Sequence, residues 1–224
     1  MIPTIDTTPY RAALSTFWAD LGDACAFSAP ELVPEAQTRE RGRRIAKARA
    51  DLAAATPPMP PSTDERRGVL LTSRRASGDT VSVIRHEREH VERMLAAGHG
   101  IEPILGEAAT VGRIDAILDL YADQDTDEAR AVRHAAVARL ADLGVPEAVA
   151  IVRDEAAAAP VAAWFAVMTS AAENYGEPSM AAMTALHAAD RDGYRAAFAD
   201  PLEPGLSDRA RHITEAADRL PDAA

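Results

Sequence analysis

Residues 129–152 read ARAVRHAAVARLADLGVPEAVAIV. Their apolar side chains recur at intervals of four, four and three residues, as on one face of an α-helix; these are Val132, Ala136, Leu140 and Leu143. Gly144 predicts the end of that helix, because glycine readily adopts the left-handed conformation that closes a helix. Pro146 predicts the start of another, because a first turn does not need the missing N–H group. The segment therefore predicts a helix, a tight turn and a second helix.

Glycines at a constant spacing flank this segment on both sides. Gly112 and Gly176 each lie 32 residues from Gly144, and each is followed by a short helical run. Apolar residues recur with the same period at Ile104, Ala136 and Met168. A period of this length favours stacked helical hairpins, each too small to bury its apolar face alone.

The central hairpin resembles a HEAT repeat. The resemblance rests on Val132-Arg133-x-x-Ala136-x-x-x-Leu140 followed by Pro146-Glu147-Ala148-Val149, and with its neighbours it covers roughly residues 95–190. It implies a short array of stacked antiparallel hairpins, which usually serves as a binding scaffold, although a minority of such arrays carry metal ligands or lyase activity. An irregular antiparallel helical bundle with regular turns explains the same spacing, and the sequence leaves both arrangements open.

The composition predicts an all-α protein. Alanine is abundant and aromatic residues make up only 4% of the 224 residues, which favours helices over strands. The lone cysteine, Cys25, excludes an internal disulfide and favours a reducing compartment. Residues 1–10 lack a basic segment followed by an apolar run, and the most apolar window, 156–168, is too short to cross a bilayer. We therefore expect a soluble cytoplasmic protein without a membrane partner.

The charge is negative overall and unevenly distributed. The chain has 24 basic and 35 acidic residues, a net charge of −11. Residues 39–49 hold six basic residues and one acid, whereas 102–128 hold eight acids and one base, Arg113. The acidic total argues against a nucleic-acid partner, because phosphate binding needs a basic surface. The basic run has no interleaved aromatic residues, so we interpret it as a solvated helix face, with a nucleic-acid accessory role as the weaker alternative.

The chain divides at a proline-rich stretch. Residues 57–62, PPMPPS, predict a stiff linker because successive prolines favour an extended backbone. An N-terminal helical segment, 1–56, precedes it, with helices beginning at Thr8-Pro9 and near 28–31. The second is interrupted near Pro34 and ends at about Ala55. A helical array or bundle, 63–220, follows. Within it, the apolar runs at 69–71 and 81–84 predict either a small hairpin or two helices. In the helical alternative, Asp79 caps the helix that begins near 81.

One motif has a recognised chemistry. Residues 86–90 read HEREH, which matches the H-E-x-x-H pattern of zinc proteases. The pattern predicts that His86 and His90 face the same side of a helix and share a zinc ion, with Glu87 as the general base for a metal-bound water. A catalytic zinc usually has three protein ligands, and Glu107 is the nearest candidate for the third. The charged residues at 88 and 89 depart from the zinc-protease pattern.

The same residues fit two other interpretations. Glu87 falls on the apolar face of its helix, so Glu87-x-x-His90 is similar to the E-x-x-H element of ferritin-like di-iron bundles. No second such element is present; the candidate partners are Glu31, Glu35, Glu173 and Asp208 with His212. The third interpretation is a charged helix stabilised by ion pairs three and four residues apart.

Two further candidates are weaker. Acidic residues spaced as in a calcium loop occupy 119–128, namely Asp119, Asp123, Asp125, Asp127 and Glu128. The loop lacks the required glycine and the glutamate at its twelfth position, so we favour a linker in which Thr126 or Asp127 caps the next helix. Cys25 lies among apolar neighbours, without a positioned base, and predicts a buried thiol.

The leading functional expectation is a non-catalytic scaffold or adaptor that binds a protein partner and needs no cofactor. The alternative is a metal-dependent enzyme centred on Glu87, using zinc in a hydrolase or iron in a di-iron oxidase or oxygenase.

Overall fold

The computed structural model of this chain describes residues 6–74, 81–200 and 202–220. Within these ranges the protein is all-α, as the sequence predicts, with eleven helices and no strand. The helices are α1 (Thr8–Ala26), α2 (Pro34–Ala55), α3 (Asp64–Ser73), α4 (Val81–Ala96), α5 (Ile101–Gly106), α6 (Val111–Leu120), α7 (Asp127–Asp142), α8 (Pro146–Glu173), α9 (Met180–Ala189), α10 (Arg191–Ala197) and α11 (Leu206–Asp218).

The helices belong to two compact units, each with its own core. The first contains the described residues up to Pro60 and those from Ala157 onward, and the second contains Pro61–Ala156. The division after Pro60 lies inside the predicted linker 57–62, which forms no helix. The predicted segment 63–220 is itself divided within α8, because its later residues pack in the core of the first unit.

The first unit is built on α1 and α2, which pack against each other and against α11. Apolar residues three and four positions apart give α1 a continuous buried face, as helical periodicity requires. The second half of α8 contributes Trp164 and Met168 to the same core, as their helical spacing in the most apolar segment of the sequence predicts. Trp18 of α1 donates from Nε1 to the carbonyl of Gly176, at 2.8 Å, and Arg49 of α2 donates to the carbonyl of Ala172, at 2.7 Å.

The second unit has α6 near its centre, in contact with α4, α5 and α7. Its largest fully buried side chains are aliphatic: Ile104, Ile114, Ile117, Leu140 and Ile151. Thr110 and Thr126 cap α6 and α7 by accepting hydrogen bonds from the backbone N–H of Arg113 and Ala129. The prediction of Thr126 as a cap is thus confirmed.

Turns at two of the three equally spaced glycines are alike, and the third differs. Each turn closes its helix with a left-handed residue: Gly144 after α7, with φ of 80°, and Tyr175 after α8, with φ of 55°. Gly176, with φ of 104°, comes one residue later, and its N–H donates to the carbonyl of Ala171 as that of Val145 does to Leu140. Gly112 instead lies in the first turn of α6, where Thr110 is the cap. The HEAT-like array stays a prediction, because the glycine spacing does not mark equivalent turns throughout.

Several local predictions need correction. Helix α2 begins at Pro34 rather than near 28–31, since residues 30–32 form a turn before it. Residues 69–71 and 81–84 are helical, so the hairpin alternative is wrong, and the proposed cap Asp79 lies outside the described residues. Helix α10 is unpredicted: Asp190 caps it by accepting from the N–H of Gly193.

Among the described helices, α8 is the one long and apolar enough to cross a membrane by length and composition. Core helices pass the same test, and part of α8 is buried inside the first unit. The cytoplasmic location stays a prediction.

Candidate functional site

The HEREH motif lies in the first half of α4. His86 is exposed, whereas Glu87 and His90 are half-buried. Glu87 is directed toward α6, where its Oε2 accepts a hydrogen bond from Nε of Arg113 at 2.9 Å. Both side chains of this pair are at least 70% covered. A carboxylate on the inner face of a helix needs a partner, and here an arginine supplies it.

The structure does not gather the predicted metal ligands. His86, His90 and the exposed Glu107 do not form a group of three that could hold an ion, and no such group exists elsewhere in the described residues. Glu107 is the C-cap residue of α5. The metal site stays a prediction, with Glu87 already engaged in an ion pair.

The residues of the di-iron interpretation are divided between the two units, and the interpretation stays a prediction. The candidates Glu31, Glu35, Glu173, Asp208 and His212 all belong to the first unit, whereas Glu87 and His90 belong to the second. Sequence reasoning missed Arg113 as the partner of Glu87. The available signal was its position as the one base in the acidic stretch 102–128.

Further ion pairs connect α6 to the helices around it. Arg74, which follows α3, binds both carboxylate oxygens of Asp115 at 2.8 Å, and Arg88 binds Asp119 at 2.7 Å. The hydrogen bonds that Arg88 donates to Glu92 and Asp119 raise the pKa of Arg88, so its guanidinium stays charged. These pairs fit the interpretation of α4 as a charged helix.

The calcium-loop residues are not arranged as ligands either. Asp119 is paired with Arg88, Asp127 pairs with Arg130 at 3.1 Å, and Glu128 accepts from the Tyr121 hydroxyl. The segment acts in the structure as the connection before the cap of α7.

The basic run lies on α2, where Arg43, Arg44 and Lys47 pair with acidic residues of the same helix. Arg43 and Arg44 both bind Glu40, and their hydrogen bonds lower the pKa of that carboxyl to about 2. Lys47 pairs with Asp51. Pairs three and four residues apart are typical of a solvated helix face. Burial raises the pKa of the Cys25 thiol, which disfavours the thiolate form that a nucleophile needs.

The described part of the second unit carries an open apolar groove of about 540 Å³ between α3 and the start of α8. Its apolar lining is Val69, Leu70, Ala150 and Ile151. Leu70 and Ile151 are buried and form the floor, whereas Val69 is 66% exposed. We call these residues and the space between them the α3–α8 groove.

Ion pairs connect α3 to α8 beside the groove. Arg66 binds Asp154 at 2.7 Å, and Arg67 together with Thr63 binds Glu155. Leu70 is the one buried residue of α3, and it belongs to the same core cluster as Ile151 of α8. Hydrogen bonds from Arg66 and then Arg153 lower the pKa of Asp154, so this connection is ionic at neutral pH.

Comparisons with known proteins identify no relative. No family model matches the sequence, and neither the curated proteins nor the solved structures contain a significant match.

Proposed function

We propose that this protein is a non-catalytic scaffold or adaptor that binds a protein partner in the α3–α8 groove. The observation that carries the proposal is Val69, a large aliphatic side chain 66% exposed at the edge of a buried apolar floor. Exposing apolar surface beside a concave apolar site costs free energy unless a partner covers it.

The chemistry lining the groove supports a binding role. Its polar groups do not converge as a nucleophile, base and orienting group would, and its arginines are held by carboxylates of the same unit. An apolar groove between two helices is the arrangement that accepts the apolar face of a partner helix.

The test is affinity capture with the full chain and two single variants. Val69→Asp places a charge at the edge of the groove, and Val83→Asp places the same charge on α4 at a valine that is 57% exposed and does not line the groove. Both substitutions are at exposed positions, so each should change the free energy of unfolding by no more than about 0.5 kcal/mol. A thermal melt checks this.

We expect wild type and Val83→Asp to retain the same protein partner and Val69→Asp to lose it. Equal recovery with all three proteins would show that the groove is not the binding surface. Loss with both variants would place the partner elsewhere on the second unit.

A further inference from the structure

The α3–α8 groove has a carboxylate near each end. Glu65 lies on α3 and Glu147 on α8; both line the groove and both are exposed. Neither forms an ion pair with another described residue. Each is followed four residues later, on the same helix face, by an apolar lining residue, Val69 or Ile151.

Glu65 and Glu147 lie at different levels along α8. Arg66 and Arg67, in the first turns of α3, bind Asp154 and Glu155 of α8, whereas Glu147 lies seven residues before Asp154. At a rise of 1.5 Å per residue this separation is about 10 Å. Glu65, next to Arg66, therefore lies near one end and Glu147 near the other.

Cations that line the groove are already neutralised. Arg66 is paired with Asp154. Arg74 donates to both carboxylate oxygens of Asp115, whose side chain is 12% exposed. Among the described residues that line the groove, the charged side chains without an ion pair are thus the two glutamates. The whole second unit is acidic as well, with eighteen acidic and twelve basic residues over 61–156.

We propose that the occupant of the groove is a basic amphipathic helix of a protein partner, an inference that rests on the proposed function. Its apolar residues contact Val69 and Ile151, and its two flanking cations pair with Glu65 and Glu147. A helix spans about 10 Å in seven residues, and positions i and i+7 lie on one face. The recognised pattern is therefore Lys or Arg at i and i+7 with apolar residues at i+3 and i+4.

A peptide display experiment tests this pattern directly. A library of helical peptides, randomised at positions i, i+3, i+4 and i+7 in an alanine-rich background, is selected against the full wild-type chain. Peptides that it enriches are then titrated against wild type, Val69→Asp and the double variant Glu65→Gln with Glu147→Gln. A thermal melt of each variant confirms that it is folded.

We expect enrichment of Lys or Arg at both i and i+7. The double glutamine variant should bind the enriched peptides about two- to twenty-five-fold more weakly, since each exposed ion pair contributes a factor of about 1.4 to 5. Raising the salt concentration should weaken binding to wild type more than binding to the double variant.

The outcomes separate the two proposals. Apolar enrichment without basic residues, with equal affinity for wild type and the glutamine variant, would overturn the basic helix and leave the groove as the binding surface. Peptides that bind Val69→Asp as well as wild type would overturn the groove itself. A wild-type dimer that Val69→Asp dissociates, measured by sedimentation, would make a second copy of the chain the occupant and also overturn the basic helix.

Discussion

Replacing Gly42 by alanine tests the packing of the first unit. Gly42 is a buried residue in the middle of α2, and a Cβ atom there would lie 2.7 Å from Cβ of Ala217 on α11. Carbon atoms in contact are normally about 3.5–4.0 Å apart, so the two methyl groups would overlap by about 1 Å. The side chain that would have to give way is attached directly to the backbone of α11, so relief requires one helix to move.

Two opposing contributions to the unfolding free energy decide whether Gly42→Ala stabilises or destabilises the unit. Alanine in a helix interior is favoured over glycine by about 0.5–1 kcal/mol, whereas overpacking costs about 1–3 kcal/mol. The net expectation for Gly42→Ala is a loss of about 1 kcal/mol. Gly22, in α1 of the same unit, has no atom within 4 Å of such a Cβ, so Gly22→Ala should stabilise by about 0.5–1 kcal/mol.

The assay is urea unfolding followed by tryptophan fluorescence. Both tryptophans of the chain, Trp18 and Trp164, belong to the first unit, so their emission reports on that unit alone. The midpoints of the two variants are compared with wild type at an unchanged slope. The difference in unfolding free energy between Gly42→Ala and Gly22→Ala should equal the overlap cost, about 1–3 kcal/mol.

A second substitution identifies the clash itself. Ala217→Gly removes the methyl group that the new side chain at position 42 would meet, so the double variant should recover most of the lost stability. The coupling energy between the two positions should be favourable and about 1–3 kcal/mol. Equal stabilisation by Gly42→Ala and Gly22→Ala, or no coupling, would refute the packing of α2 against α11.

Three further predictions concern single interactions. Asp190→Ala removes the cap of α10 and the carboxylate oxygen that accepts, at 2.9 Å, from the indole N–H of the buried Trp164. The unfolding free energy in the urea assay should fall by about 1–3 kcal/mol, and a fall below about 0.5 kcal/mol would contradict this. Burial alone would raise the pKa of Asp190, but hydrogen bonds from Trp164 and the backbone hold that pKa below its ordinary value. The stability that ionised Asp190 contributes should therefore be present above about pH 4 and be lost as the pH falls through its folded-state pKa. Asp190→Asn should lose less unfolding free energy on acidification than wild type. Arg113→Ala leaves the half-buried Glu87 unpaired and should lower the unfolding free energy by about 1–2 kcal/mol, measured by circular dichroism. Elemental mass spectrometry of the wild-type protein should find no stoichiometric zinc or iron. One equivalent of metal in wild type that is lost in His90→Ala would support the enzyme interpretation instead.

Local features of this fold are predictable from the sequence because they depend on neighbouring residues. The cap at Thr126, the left-handed turn at Gly144 and the break at residues 57–62 each follow from chemistry within a few positions. The core position of Trp164 follows from helical periodicity in an apolar segment.

Long-range packing was the part that the sequence could not supply. The return of residues after Ala157 to the core of α1 and α2 depends on contacts more than a hundred residues apart, such as Trp18 with Gly176. The missed helix α10 depends on Asp190, whose capping role is coupled to its hydrogen bond with Trp164.

The candidate site shows the same limit. The sequence marks Glu87 as a carboxylate that needs a partner, but Arg113 is one of two dozen basic residues and only the fold selects it. The groove was not predicted at all, since its walls lie 88 residues apart at the contact between Arg66 and Asp154. Val69, its most exposed apolar residue, appeared in the sequence only as part of a short apolar run.

Photo-crosslinking from position 69 tests the central claim most directly. A photoreactive phenylalanine analogue replaces Val69 in one sample of the full chain and Val83, similarly exposed but outside the groove, in another. If a partner helix occupies the α3–α8 groove, position 69 should crosslink to one defined protein segment that is apolar and flanked by basic residues, and position 83 should not. Crosslinking to the same protein from both positions, or from position 83 alone, would contradict the groove as the binding surface.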